Sequence, residues 1–177
     1  MEPMRAFLTE ENILIHKEYM RTLRLRHSIM EKSIPQIKGK DILELQRSHF
    51  SQTVRDDVIP NLREYIFHQI YFESFGGTAT MPLRLKKLYS SAQAFLYDVY
   101  LLASKKNEGF ILIFSDDRGE VRMMHSDDVK RLRSLPKLAL DVSEHAYFLD
   151  YRFDKEKYLR SALSCLNIAL LDNDAKK

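Results

Sequence analysis

Tryptophan is absent from the 177 residues, cysteine occurs once, and glycine and proline are held to five each. The lone Cys165 excludes a disulfide framework, and so few glycines and prolines exclude collagen-like and low-complexity chains. No apolar run approaches the roughly 20 residues that cross a bilayer, so no membrane partner is expected. The first residues, Met-Glu-Pro-Met-Arg-Ala-Phe, lack the apolar stretch of a secretory signal. A cytoplasmic location is therefore expected, with a mitochondrial one left open. A strong excess of one charge is missing too: 28 Lys and Arg stand against 25 Asp and Glu, a net +3. Such a charge draws a small anion mildly and is far from a nucleic-acid tail, so no nucleic-acid partner is expected. What is present (45% hydrophobic, 11% aromatic, 30% charged residues) describes one compact unit or two intimately packed ones. At this length roughly two-thirds of the unfolded surface can be buried without staples.

Thr9 reads as an N-cap, and from Ile13 to Met30 a stripe of His16, Met20, Leu23, His27 and Met30 steps by four and three, which is helical spacing. Ile34-Pro35 ends this helix and Lys38-Gly39-Lys40 is a loop. A shorter helical piece covers about Ile42 to Val54, and Pro60 opens a helix that runs to Phe75 with a stripe of Tyr65, His68, Phe72 and Phe75. Gly76-Gly77 stops it. The stretch to Pro82 reads as a linker, which divides the chain into an N-terminal helical hairpin domain, 1–80, and a C-terminal α+β domain, 81–177. In the second, Leu83 to Leu102 forms one or two helices. Phe110 to Phe114 is a strand, Asp116-Asp117-Arg118-Gly119 turns, and Val121 to Met124 returns as its hairpin partner. Leu138-Ala139-Leu140 supplies a third short strand, and Glu144 to Tyr151 and Lys155 to Leu171 are helical. The fold class is α+β: a long α-helical hairpin, then an α/β domain with a small three-stranded antiparallel sheet.

Four side chains stand out as metal ligands. His16 and His68 lie on the apolar faces of two helices, and Asp141 and His145 sit four apart where the last strand gives way to a helix. Imidazole plus carboxylate suits iron, manganese or zinc. Taken singly, a histidine on an apolar stripe reads first as a hydrogen-bonded core residue, and the spacing alone leaves both readings open.

Around Asp141 the order is Asp141-Val142-Ser143-Glu144-His145-Ala146-Tyr147-Phe148-Leu149-Asp150-Tyr151, followed by Asp154-Lys155 and Lys157-Tyr158-Leu159. This closely resembles the C-terminal metal signature of the iron/manganese superoxide dismutases, Asp-x-Trp-Glu-His-Ala-Tyr-Tyr-x-x-Tyr. Ile15-His16, Phe67-His68-Gln69-Ile70-Tyr71-Phe72, Gly76-Gly77 and Gly109-Phe110 resemble further family segments in the same order. Nearly the whole chain is covered, though only residues 141–159 are highly specific. The resemblance implies that His16, His68, Asp141 and His145 hold one manganese or iron ion per subunit, and that the protein dismutates superoxide to oxygen and hydrogen peroxide as a homodimer. Three neutral imidazoles and one carboxylate would leave the centre cationic, with room for an anionic substrate. Glu144 matches the family glutamate that reaches across the dimer interface to a metal-bound histidine.

Departures from the family pattern cluster around the ligands. Arg24 stands where the family has its gateway tyrosine, and reads either as a cation guiding superoxide inward or as a surface arginine. Met20 and Phe148 replace two polar partners that face each other across the interface in the family. At the two positions from which an outer glutamine comes in the family, this sequence offers Glu64 and, on an approximate alignment, Asp127; His125 is a substitute whose other reading is a solvated strand-end histidine. Phe72, Phe110 and Ser143 take positions usually held by tryptophan, and Ser143 is expected to leave a gap that water enters. The expected site is therefore wetter than usual. The alternative function is a catalytically impaired dismutase-fold protein serving as a structural or interaction subunit, as in a mitochondrial ribosome; a third keeps the metal and changes the task. Basic clusters at Arg84/Lys86/Lys87 and Lys130/Arg131/Arg133/Lys137 read first as solvated faces, with RNA phosphate contact as the other reading.

Overall fold

The computed structural model describes residues 3–77, 80–116 and 118–172. After a short turn at Pro3–Ala6, α1 runs over Glu10–Ser33. Thr9 caps it by accepting the Asn12 N–H on its side chain, as the N-cap chemistry of threonine provides. The second helix, α2, is Ile42–Arg47. Its start is a full capping box, in which Asp41 accepts from the Glu44 N–H at 2.8 Å and Glu44 accepts from the Asp41 N–H at 2.9 Å. It ends earlier than the sequence suggests: the chain leaves helical geometry at Ser48 and re-enters through a wide turn, Val54–Val58, that leads directly into α3, Ile59–Glu73.

The buried face of α1 is Asn12, Ile13, His16 and Leu23, so the inward histidine at 16 stands while Met20, His27 and Met30 are only half-buried. On α3 the buried set is Leu62, Phe67, His68 and Tyr71; Tyr65 and Phe72, expected on the stripe, are half-buried. The reason is that α3 packs on two sides, against α1 and against the sheet, so a single stripe underestimates what it buries. Tyr71 is fully buried and meets the equally buried Tyr158, hydroxyl to hydroxyl at 3.1 Å.

Beyond Gly76-Gly77, the stretch from 83 to 102 divides into a one-turn α4, Leu83–Lys86, and α5, Ala92–Ser104. Strands β1 (Phe110–Ser115), β2 (Val121–His125) and β3 (Leu138–Asp141) form an antiparallel sheet in the order β2-β1-β3, the three-stranded sheet expected. Asp117 of the turn expected at 116–119, and Thr78 and Ala79 of the linker, lie outside the described residues. Helix α6 is Glu144–Tyr151. Helix α7, Lys155–Ser164, is shorter than expected because the chain turns at Cys165 and ends in a separate turn, Ile168–Leu171.

The Gly-Gly segment is packed tightly. Gly76 N–H donates to Cys165 O at 3.1 Å and Asn167 N–H donates to Ser74 O at 2.8 Å. A Cβ on Gly77 would fall 1.8 Å from Asn167 Oδ1, and Gly76 adopts φ +90° against Pro3, so both positions exclude side chains. The Ser74 hydroxyl also accepts the Ala139 N–H at 2.9 Å, fixing the end of α3 to β3. This places His68 on α3, His16 on α1 and Asp141 at the end of β3 around one point.

Candidate metal centre

His16 Nε2, His68 Nε2, Asp141 and His145 Nε2 offer donor atoms that all lie within 4.8 Å of one another. Asp141 Oδ2 stands 3.1 Å from His145 Nε2, 3.5 Å from His16 Nε2 and 3.6 Å from His68 Nε2. Yet His16 Nε2, His68 Nε2 and Asp141 Oδ2 are buried polar atoms without a hydrogen-bond partner. Orphaned buried donors cost about 1–3 kcal/mol each, and three aimed at one point call for a shared ligand. Donors held ~2.1 Å from a single ion would lie ~3.0 Å apart at right angles and ~4.2 Å apart when opposed. The three distances from Asp141 Oδ2, 3.1, 3.5 and 3.6 Å, fall within that range, and imidazole with carboxylate suits iron, manganese or zinc.

Each buried donor is oriented by its other polar atom. His68 Nδ1–H donates to the Glu64 carbonyl at 2.8 Å, which leaves Nε2 with its lone pair free. His16 Nδ1 lies 3.3 Å from Asn12 Oδ1. The Asn12 amide is itself fixed, because its Nδ2 donates to Ala146 O at 3.2 Å and to Asp150 Oδ2 at 3.0 Å. Asp150 in turn accepts from the N–H and hydroxyl of Thr9. Asp141 Oδ1 accepts the Ser143 N–H at 2.8 Å, directing Oδ2 at the histidines. Asn12 and Asp150 escape sequence reading because they meet across 138 positions; the one local signal is that Asn12 lies four residues before His16, on the same helix face.

Aromatic rings wall the donors. Phe110 meets His68 edge-on at 4.9 Å, and Tyr71 and Phe72 lie 5.7 and 6.0 Å from His16. Ser143 stands at the N-cap position of α6. It is buried, and its hydroxyl accepts the Gly109 N–H at 2.9 Å, so it is turned toward the backbone before β1. Tyr19, unnoticed in the sequence, stands with its ring centre 5.2 Å from that of His68 and 5.6 Å from that of His145. The signal was its position three residues after His16, which places it on the same side of α1.

Of the other sequence candidates, Glu64 comes closest. Its carboxylate lies 3.7 Å from His68 Nδ1, and burial, reinforced by the Asp141 charge, pushes its carboxyl up to about 7. Burial drives the His68 imidazole down to about 4 despite Asp141. Burial opposes the charge on His145 as well, but the Asp141 carboxylate beside it and, after that, the Glu64 charge carry it upward. Asp141 is wholly buried, which alone would raise it, and the His145 and His16 imidazoles hold it well below the carboxylate range. Asp127 lines the same cavity as Glu64 but is 78% exposed, 3.4 Å from His125 Nδ1, and makes no contact with the four donors among the described residues. His125 is neither solvated nor at the donors: it is 1% exposed and binds Glu108 O through Nε2 at 2.6 Å, because the β2 end is closed by the loop before β1. Arg24 is an exposed residue of α1 with no shown contact to the donors, and Glu144 is exposed beside His145.

The sequence profile of the C-terminal domain of the iron/manganese superoxide dismutases matches residues 78–173, more than half of the chain. The chain belongs to the iron/manganese superoxide dismutase family. It is 31% identical over 121 residues to an iron superoxide dismutase of Babesia bovis, covering 62% of this chain and 61% of that one. It is 24% identical over 169 residues to a manganese superoxide dismutase of Acinetobacter baylyi, covering 86% and 71%. The chain thus spans about three-fifths of the iron relative. The family profile covers Asp141 and His145 directly; His16 and His68 lie N-terminal to it.

Proposed function

We propose that this protein is a superoxide dismutase that converts superoxide to oxygen and hydrogen peroxide, with one iron or manganese ion held by His16, His68, Asp141 and His145 in each subunit. The observation that supports this reading is the convergence of three buried donor atoms that no protein group satisfies. Bound there, the metal would supply a +3/+2 couple that takes an electron from one superoxide and returns it, with two protons, to the next. The side chains do the rest. The Asn12 amide, the Glu64 carbonyl and the Ser143 N–H fix the faces that the three buried donors present. Glu64, with a carboxyl near neutrality in its affinity for protons, holds and hands on a proton at the edge of the donors, where the family pattern has a neutral amide. Tyr19 partly covers His68 and His145 and narrows the approach to something as small as a diatomic anion. Arg24 acts at a distance, its charge drawing that anion toward the donors.

The same reading makes the protein a homodimer across the face that carries Glu144, His145 and Phe148, where Phe153 is 88% exposed and packs on Phe148. Glu144 would reach toward the partner's centre, and with Met20 and Phe148 both apolar neither strands a polar partner. Its location in this reading is cytoplasmic. A second reading, a structural subunit that has lost turnover, draws on the exposure of Arg24 and Asp127. Protein reconstituted with iron or manganese and assayed for superoxide consumption separates the two. Turnover proportional to bound metal is expected; folded, metal-loaded protein no faster than free metal ion would leave the subunit reading standing.

A further inference from the structure

Away from the donors, one loop gathers positive charge that no carboxylate pairs among the described residues. Arg47 at the end of α2, with Lys130, Arg131 and Arg133 in the segment between β2 and β3, lines a cavity of about 600 Å³ whose single acidic wall residue is Asp128. Arg122 of β2 lines an adjoining hollow together with Arg131 and Arg133. All five cations are exposed. None makes a side-chain hydrogen bond or ion pair among the described residues, whereas Arg5, Arg21 and Arg160 elsewhere on the surface each hold a glutamate at 3.1 Å or less. The net charge of +3 for the whole chain conceals this concentration.

The segment is also rigidly mounted. Val129 and Leu132 are buried at 6% and 2%, which leaves Lys130, Arg131 and Arg133 pointing outward between and after two core anchors. The Arg63 guanidinium donates to Ser126 O and Val129 O at 3.2 and 2.9 Å. Leu132 N–H donates to Gln46 Oε1 at 2.7 Å, and the nitrogen of that same amide has no acceptor in the protein. Like charges held close by a fixed backbone repel one another, and the arrangement is relieved by a multivalent anion that finds its contacts already in place.

We infer that this cavity binds a chain of phosphate groups, as presented by inorganic polyphosphate or a nucleic-acid backbone. Four of the five cations are arginines, whose planar forks match phosphate oxygens two at a time. Phe114, the aromatic residue in these walls, is buried, so no ring is offered for stacking a base. Recognition is of the phosphates and carries no sequence preference. An anionic lipid surface is the less favoured class, because the charges ring a concavity in which Val129 and Leu132 face the core and Met124 is half-buried.

The test uses the full chain with three probes: long-chain polyphosphate, a fluorescent 20-nucleotide single-stranded RNA, and vesicles containing phosphatidylserine. Five contacts predict a slope of about −3.5 in log K against log salt for the RNA. The triple variant Lys130→Ala, Arg131→Ala, Arg133→Ala should lose at least about tenfold in affinity, and single charge reversal Arg131→Glu should lose several-fold. Lys86→Ala with Lys87→Ala, at the other basic cluster, should stay within about twofold. Binding of one phosphate probe and not the other identifies the source; binding of both leaves the shared chemistry. The inference is overturned by equal losses in the control variant, by salt-insensitive binding, or by binding to vesicles alone. Metal content is read in parallel and is expected to be unchanged, so this outcome is independent of the dismutase reading.

Discussion

The donor centre has a floor and a mouth. In the floor, His16, His68 and Asp141 are at most 1% exposed, and each is oriented by a hydrogen bond with a named neighbour. At the mouth, the His145 and Glu64 side chains are 45% and 36% exposed and Tyr19 is 40% exposed. The floor is made by the same packing that makes the fold, since the core closes only when α1, α3 and β3 meet. The mouth is held by few contacts. A buried ligand set is constrained by folding, and a half-exposed rim is open to change.

The sharpest way to break that comparison is to remove a floor donor. Asp141→Ala or His68→Ala should reduce bound metal to less than about a tenth of the wild-type level and abolish turnover, read by elemental analysis and superoxide assay. Next in size is Asn12→Ala, which touches no metal. It leaves His16 Nδ1 without its acceptor and should weaken metal affinity by about 10–100-fold, with a loss of about 1–3 kcal/mol in stability from denaturant unfolding. If His16 keeps its affinity in that variant, the floor is not organised as described.

Much of the floor was legible in the sequence. His16 and His68 sit on recognisable helical stripes, and the spacing from Asp141 to His145 lies within a specific motif. The orienting atoms were not legible, because Asn12 is positioned by Asp150, a residue far along the chain. Tyr71 was missed for a related reason: a helix packed on two sides buries more than one stripe. His125 read as solvated because sequence spacing does not reveal which backbone group closes over a side chain. The helix ends at Arg47 and Ser164 were misplaced where apolar residues continue past the last helical turn.

At the mouth, effects should be smaller. In the metal-free protein, Glu64 has a folded affinity for protons raised from 4.5 to about 7. The raised value means its contribution is fully present below about pH 4.5 and is lost as pH climbs through about 7. After allowance for screening at a carboxyl one-third exposed, this is about 1 kcal/mol. Glu64→Gln should flatten unfolding midpoints across that window and shift the pH profile of turnover. His68 works in the opposite direction. Its folded value, lowered from 6.5 to about 4, gives stability that is complete above about pH 6.5 and is lost as pH falls through about 4, so acid should destabilise the metal-free protein in this range. Smallest of all, Tyr19→Ala should tighten azide binding to the iron-loaded protein by a few-fold while Tyr19→Phe leaves it near wild type, and Arg24→Ala should alter turnover by less than about twofold at physiological salt. A larger effect from Arg24 than from Tyr19 would reverse the assignment of the mouth.

The central claim is that the four side chains hold one redox-active ion. Anomalous diffraction from crystals of the iron- or manganese-loaded protein, with turnover measured on the same preparation, tests it most directly. A single strong peak is expected about 2.1 Å from His16, His68 and His145 Nε2 and from Asp141 Oδ2, in a sample that consumes superoxide. A peak elsewhere, such as beside His125 and Asp127, or a correctly placed ion in an inert protein, would contradict it.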